Sequence, residues 1–162
     1  MTSLALQFIG RLPLQYQNIA KQFLKFGVVG VIGAIVDFGT YNILTRGFGW
    51  NDIYTIFGYQ IIAANLVSVF LAIVSNFILN KYWTFRDTNE KVAQQWSQYF
   101  ILNVITFILN QILTSFFAFR VPIIVAVFGA QADNAAKALA IGLILFLNFA
   151  GSKLVVFRRQ QP

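Results

Sequence analysis

Four long apolar runs organise this chain, over about 26–45, 56–80, 96–119 and 136–157. Each is long enough to cross about 30 Å of hydrocarbon as an α-helix. Polar side chains recur inside the runs at steps of three and four, which stacks them on one helix face, whereas strand side chains would alternate. Four strands also could not close a barrel without leaving an edge. The pattern predicts an all-α membrane protein whose four transmembrane helices occupy a domain over 26–159. Residues 1–25 differ, mixing Leu, Phe and Ile with Gln, Asn, Arg and Lys. They read as an interfacial amphipathic helix broken near Pro13. The stretch lacks a small-residue cleavage site and its apolar runs are too short for a signal peptide.

The ends of the second and fourth runs repeat. Asn76, Phe77, Lys81, Phe85 and Arg86 match Asn148, Phe149, Lys153, Phe157 and Arg158 after a shift of 72. A shared stop-transfer signal would explain the basic residues but not the matched Asn and Phe. The chain therefore reads as two helical hairpins of one topology, a parallel repeat about an axis along the membrane normal.

Composition sharpens the class. The 162 residues are 58% apolar and 10% charged, with 12 Lys and Arg against 5 Asp and Glu, no Cys and no His. An ordinary soluble domain carries about 25% charged residues. Zinc sites and Cys–His catalysis lack their usual groups. There is no Walker loop, catalytic carboxylate pair or nucleophile elbow. The reading is of a protein that is not an enzyme, with no cofactor and no metal. Cations dispersed as membrane anchors do not suit nucleic acid. With four spans, Arg11, Lys21, Lys25, Lys81, Arg86, Lys91, Lys153, Arg158 and Arg159 share one side, against Arg46, Arg120 and Lys137 on the other. The positive-inside rule puts both termini in the cytoplasm. Aromatic anchors agree, with Trp50 and Tyr54 outside and Tyr82, Trp83, Trp96 and Tyr99 inside.

Each span carries one polar stripe. These are Gly30, Gly33, Asp37 and Tyr41; then Asn65, Ser68, Ala72, Asn76 and Asn80; then Asn103, Thr106, Asn110 and Thr114; and finally Lys137, Asn148 and Ser152. Facing lipid is costly, so the stripes should turn toward one another. Asp37 lies about 11 residues, roughly 16 Å, into its span. A carboxylate there costs about 2.5–3.5 kcal/mol on insertion scales. It reads either as a substrate or proton site or as a packing partner. Asn65, Asn103 and Asn110 read equally as interhelical glue and as ligands. Gly27, Gly30 and Gly33 suit close helix packing or room for a ligand. Lys81, Arg86, Lys153 and Arg158 form the strongest constellation, with no acid within 81–86 or 153–159. Lys gives a compact charge and Arg a bidentate fork, which together suit a phosphate. Attraction to ordinary anionic lipid is the competing explanation.

The segment Phe23-Leu-Lys-Phe26-Gly27-Val-Val-Gly30 with Asp37 following resembles the opening of the GtrA family. So does Asn76-Phe-x-x-Asn80-Lys81-Tyr-Trp83-Thr84-Phe85-Arg86, the more specific of the two motifs. The resemblance covers roughly 20–159. It implies a small multipass protein of cell-surface polysaccharide synthesis in the bacterial inner membrane. The implied activity is flipping of a polyprenyl-phosphate-linked sugar, such as undecaprenyl phosphate glucose, beside a partner glycosyltransferase. On that basis Lys81, Arg86, Lys153 and Arg158 are assigned to the phosphate. Asp37, Asn65, Asn76, Asn80 and Asn148 are assigned to the sugar or its path. A non-transporting adaptor for a glycosyltransferase is the first alternative. A proton-coupled exporter of small cations is the second, disfavoured by the basic inner side. A homodimer would enlarge the path between four short helices.

Overall fold

The computed structural model describes residues 9–10, 13–56, 59–129 and 132–158, so most of the 1–25 segment before Pro13 lies outside the described residues. Helix α1 runs over Leu14–Asn42 and widens into a π-helical turn, Ile43–Gly47. Strands β1 (Ile53–Ile56) and β2 (Tyr59–Ile62) pair antiparallel, with Ile53 opposite Ile62 and Ile56 opposite Tyr59. Helix α2 covers Ala63–Leu79 and ends in a π-helical turn, Asn80–Thr84. Helix α3 covers Val92–Arg120, the short α4 Pro122–Phe128, and α5 Ala132–Gly151, again closed by a π-helical turn, Ser152–Val156.

Four of these helices are long and apolar enough to cross a membrane, over Tyr16–Gly47, Ala63–Thr84, Val92–Phe117 and Asn134–Val156. The chain is an all-α multipass membrane protein with one small β-hairpin. Outward faces fit that solvent. Val31, Ile35 and Phe38 on α1 are 63, 66 and 72% exposed, and Ile101, Ile105, Ile108 and Ile112 line an exposed face of α3. Apolar stripes of that length belong in hydrocarbon, not in water.

Two boundaries differ from the sequence reading. The second apolar run spends its first residues on the β-hairpin, so its helix starts at Ala63 and not near Ile56. Residues 53–56 and 59–62 are rich in β-branched and aromatic side chains, which favour the pleated form. At the other end, Leu14 begins one continuous helix through Asn42, so 14–25 is no separate element. Pro13 precedes its first turn, where its missing N–H costs nothing, and its carbonyl accepts from Tyr16 N at 2.8 Å.

The chain forms two compact units, 1–88 and 89–162. In the first, α1 packs on α2; in the second, α3 packs on α5. The same design recurs inside both. The π-helical turns begin at Asn80 and Ser152, 72 residues apart. Ala64, Ser68 and Phe77 are 0, 0 and 5% exposed, and Ala136, Ala140 and Phe149, 72 residues on, have the same values. Small residues four apart let the paired helix come close. Phe26 meets Phe85 at 6.2 Å between ring centroids, and Tyr99 meets Phe157 at 6.0 Å. The second pair of contacts sets α1 against α3 at a shift of 73. Gly30, Gly33, Asp37 and Tyr41 then correspond to Asn103, Thr106, Asn110 and Thr114, the two polar stripes already recognised in the sequence.

Candidate functional site

Polar residues of the first unit are turned on one another only in part, since Asn76 Oδ1 and Thr84 Oγ1 are buried without a hydrogen-bond partner among the described residues. Asp37, half-buried in α1, accepts a 2.5 Å hydrogen bond from Ser68 Oγ on α2. Ser68 is fully buried. Gly33 lies against the carboxamide of Asn76, so that a Cβ at Gly33 would overlap it. Asn80 is buried. Asn65 is exposed, one step around α2 from the buried line Ala64–Ser68–Ala72. The structure therefore brings Asp37 and Asn76 to the α1–α2 contact and leaves Asn65 off it.

The basic end of this unit holds a residue that the sequence reading passed over. Lys81 Nζ forms a 3.2 Å ion pair with Asp87 Oδ2, and the two side chains are 2 and 5% exposed. Asp87 stands one position beyond the window in which no acid was found. Two unlike charges taken out of water must hold each other, because either alone would carry a large desolvation cost. Lys81 is thus internally neutralised, which corrects the picture of an acid-free cation cluster. The backbone around the pair is closed as well. Arg86 adopts φ 50°, and Asp87 N donates to Lys81 O at 2.8 Å. It is one residue longer than the bond that ends an α-helix through a left-handed residue, usually glycine, in keeping with the π-helical turn before it. It fixes Asp87 over Lys81 and turns Arg86 outward, where it is exposed. Lys25 reaches the same end, 3.3 Å from Trp83 O and 5.2 Å from the Trp83 ring centroid.

The second unit is more open. Lys153 is half-buried with Nζ 5.8 Å over the Phe149 ring, and Arg158 is exposed. A shift of 72 carries Asp87 onto Arg159, so this end has no matching acid in the sequence. Thr106 replaces Gly33 against Asn148, with Thr106 Oγ1 lying 3.3 Å from Asn148 Oδ1. The same hydroxyl lies 2.8 Å from Leu102 O, and its one proton serves one acceptor at a time. Asn103 Nδ2 donates to Tyr99 O at 2.8 Å. Asn110 Oδ1 and Thr114 Oγ1 are buried without a hydrogen-bond partner among the described residues. Between α3 and α5 an open cavity of about 320 Å³ is lined by Asn103, Thr106, Phe107, Asn110, Ile141, Ile144, Leu145 and Asn148. Lys137, placed on the same stripe as Asn148 by its spacing, is exposed and does not line it.

Thus Lys81 and Arg86 sit at one hairpin end, and Lys153 and Arg158 at the equivalent end of the other. Among the described residues no group of three carboxylate, imidazole or thiol side chains could hold a metal ion. The arrangement offers cations near the ends of spanning helices and neutral hydrogen-bonding groups along them. Those chemistries suit a phosphate and a hydroxyl-rich group.

A family model described as the GtrA/DPMS transmembrane domain matches residues 25–157. It relates the chain to membrane proteins of polyprenyl-phosphate-sugar metabolism. No solved structure matches it.

Proposed function

Because this chain belongs to the GtrA/DPMS transmembrane-domain family, we propose that it flips a polyprenyl-phosphate-linked sugar, such as undecaprenyl phosphate glucose, from the cytoplasmic to the outer leaflet. The setting is the bacterial inner membrane, with both termini cytoplasmic, an orientation that the uneven distribution of Lys and Arg supports. The protein acts as a carrier and catalyses no covalent step. Its substrate comes from a partner glycosyltransferase, and movement follows the gradient between synthesis and use.

One observation carries this reading. The two hairpins end alike, each in a π-helical turn that bears a lysine in its second position and is followed by an arginine. Such ends lie at headgroup depth in a spanning helix, where a lipid phosphate sits. Lys153, Arg158 and Arg86 supply charge to that phosphate. Lys81, tied to Asp87, holds the first end in shape and adds a screened field. The sugar must cross hydrocarbon, where each unsatisfied hydroxyl costs a few kcal/mol. Asn76, Asn80 and Asn148, with Asp37, offer replacements for water while the polyprenyl tail stays in lipid.

The test is reconstitution of the purified full chain in vesicles with fluorescent polyprenyl-phosphate glucose. Accessibility of the label to a membrane-impermeant quencher reports the leaflet. Wild type should equilibrate the leaflets, and Lys153→Ala with Arg158→Ala should slow this by at least about tenfold, since charge-assisted bonds are the strong ones. Equal rates with and without protein would remove the carrier reading.

The adaptor reading keeps one observation in its favour. Asp37 with Ser68, and Lys81 with Asp87, are partnered within the first unit. An adaptor would raise glycosyltransferase activity in the same vesicles while leaving the label's leaflet unchanged.

A further inference from the structure

Buried oxygens without a hydrogen-bond partner among the described residues occur in both units, at Asn76 and Thr84 in the first and at Asn110, Thr114 and Ser152 in the second, and of these Asn110 lines the α3–α5 cavity. In the first unit Asp37 takes its hydrogen bond from Ser68. At the corresponding places the second unit has Asn110 and Ala140, and Ala140 is fully buried. The hydroxyl that would serve Asn110 is missing, and Asn110 Oδ1 is left buried and unpartnered. A buried polar group without a partner forfeits roughly 1–3 kcal/mol. A Thr in place of Gly33 and an Asn in place of Gly30 add two more polar side chains to the same face, as Thr106 and Asn103. Compared with the first unit, this site lacks the internal partner and carries more hydrogen-bonding groups, and Asn103, Thr106, Asn110 and Asn148 line the α3–α5 cavity.

From this geometry we infer that the α3–α5 groove binds the uncharged sugar headgroup itself, with Asn110, Asn148 and Thr106 as its hydrogen-bonding residues. The inference rests on the transport reading for the identity of the lipid. The occupant's chemistry follows from the lining. A carboxamide both donates and accepts, as a sugar hydroxyl needs. Among the described residues no charged side chain lines the groove, so a phosphate finds no counter-ion among them. Ile141, Ile144 and Leu145 give apolar walls for the ring's C–H faces. A volume of about 320 Å³ falls at the lower end of small-molecule clefts, about 300–1,000 Å³, as suits one sugar unit better than an oligosaccharide. Lys153 lies five residues past Asn148 toward the basic end, the order in which a phosphate would follow its sugar.

The chain has no cysteine, so Ile141→Cys places a single thiol in the groove of the full-length protein. In nanodiscs of phosphatidylethanolamine and phosphatidylglycerol, the rate of maleimide labelling reports access to that thiol. Farnesyl-phosphate glucose and dodecyl glucoside should each slow labelling by about fivefold or more, whereas farnesyl phosphate should not. Adding Asn110→Leu, which keeps size and removes both polar atoms, should abolish the protection. Equal protection by all three probes means that the groove takes only an apolar tail and overturns the inference. So does protection that survives Asn110→Leu, and so does a thiol that never labels, since lipid or another part of the protein then fills the groove. Circular dichroism and size-exclusion profiles of the variants exclude misfolding as the cause. Protection by dodecyl glucoside with no leaflet exchange would sink the transport reading alone. Leaflet exchange without such protection would sink the sugar groove alone.

Discussion

The two halves of this protein share a backbone plan and differ in what their polar groups do. In the first, Asp37 holds Ser68 and Lys81 holds Asp87. In the second, the equivalent of Asp37 is an unpartnered Asn110, and the equivalent of Asp87 is Arg159. The net charge at the two ends diverges accordingly. Lys25, Lys81, Arg86 and Asp87 leave two positive charges at the first end, whereas Lys153, Arg158 and Arg159 carry three. The difference separates two uses of the same position. A polar group satisfied from within contributes to a fixed shape, and one left unsatisfied is available to something that arrives. The contrast holds at these two positions and not along the whole stripe, since Asn76 Oδ1 and Thr84 Oγ1 in the first half are also buried without a partner among the described residues.

The sharpest way to break this contrast is at the buried ion pair. Asp87→Ala should destabilise the protein by about 3–5 kcal/mol, because Lys81 is left buried and uncompensated. Much of the loss should return in the double variant Lys81→Met with Asp87→Leu. Lys153→Met, at the equivalent place, should cost about 1 kcal/mol or less while slowing transport. Thermal denaturation in detergent, followed by circular dichroism, reads all of these. Equal losses at Lys81 and Lys153 would erase the division between a structural and a functional cation.

A smaller effect is expected one layer deeper. Ser68→Ala removes the donor to Asp37 and should cost about 1–3 kcal/mol. The reciprocal change, Ala140→Ser, would give Asn110 the partner that its counterpart has. It should stabilise the second unit by about 0.5–1 kcal/mol and at the same time slow leaflet exchange. An Ala140→Ser protein that is more stable and equally active would show that Asn110 has no part in transport.

Packing offers a third measure. Gly33→Thr copies the second unit into the first, but its Cβ would overlap the Asn76 carboxamide. The carboxamide must swing away, at about 1–2 kcal/mol. Gly151→Ala makes the opposite comparison. Its Cβ would come within 2.7 Å of Leu102 Cδ1, at the place where the first unit has Leu79, and the cost should be similar. The smallest effect belongs to Arg86. Glycine there relieves a left-handed backbone and should raise stability by about 0.5–1 kcal/mol. If Arg86 touches phosphate, Arg86→Gly gains stability and loses transport together.

Much of this plan was legible in the residues, and the reasons are physical. Runs of apolar side chains that exceed the bilayer's thickness leave few alternatives to spanning helices. The repeat was visible because Asn76, Phe77, Lys81, Phe85 and Arg86 recur in order, and the structure gives both copies the same π-helical ending. The polar stripes of α1 and α3 showed their spacing but not their kinship, because Gly30 and Gly33 share no chemistry with Asn103 and Thr106. The packing of Phe26 on Phe85 and Tyr99 on Phe157, with Gly33 against Asn76 and Thr106 against Asn148, sets their register. Asp87 escaped because its role depends on a left-handed Arg86, and periodicity carries no sign of a chain reversal. Asn65 had the right spacing, yet the close-packed line runs through Ala64, Ser68 and Ala72. The start of α2 was misplaced because hydropathy cannot tell an apolar strand from an apolar helix over so few residues.

The widened turns at Asn80–Thr84 and Ser152–Val156 redirect the side chains that follow them. A π-helical turn amounts to one residue inserted into a helix, an irregularity kept mostly where it serves a purpose. One added residue rotates everything beyond it by about 100° around the axis. Arg86 and Arg158, each two residues past such a turn, are therefore carried off the face that helical periodicity alone would give them.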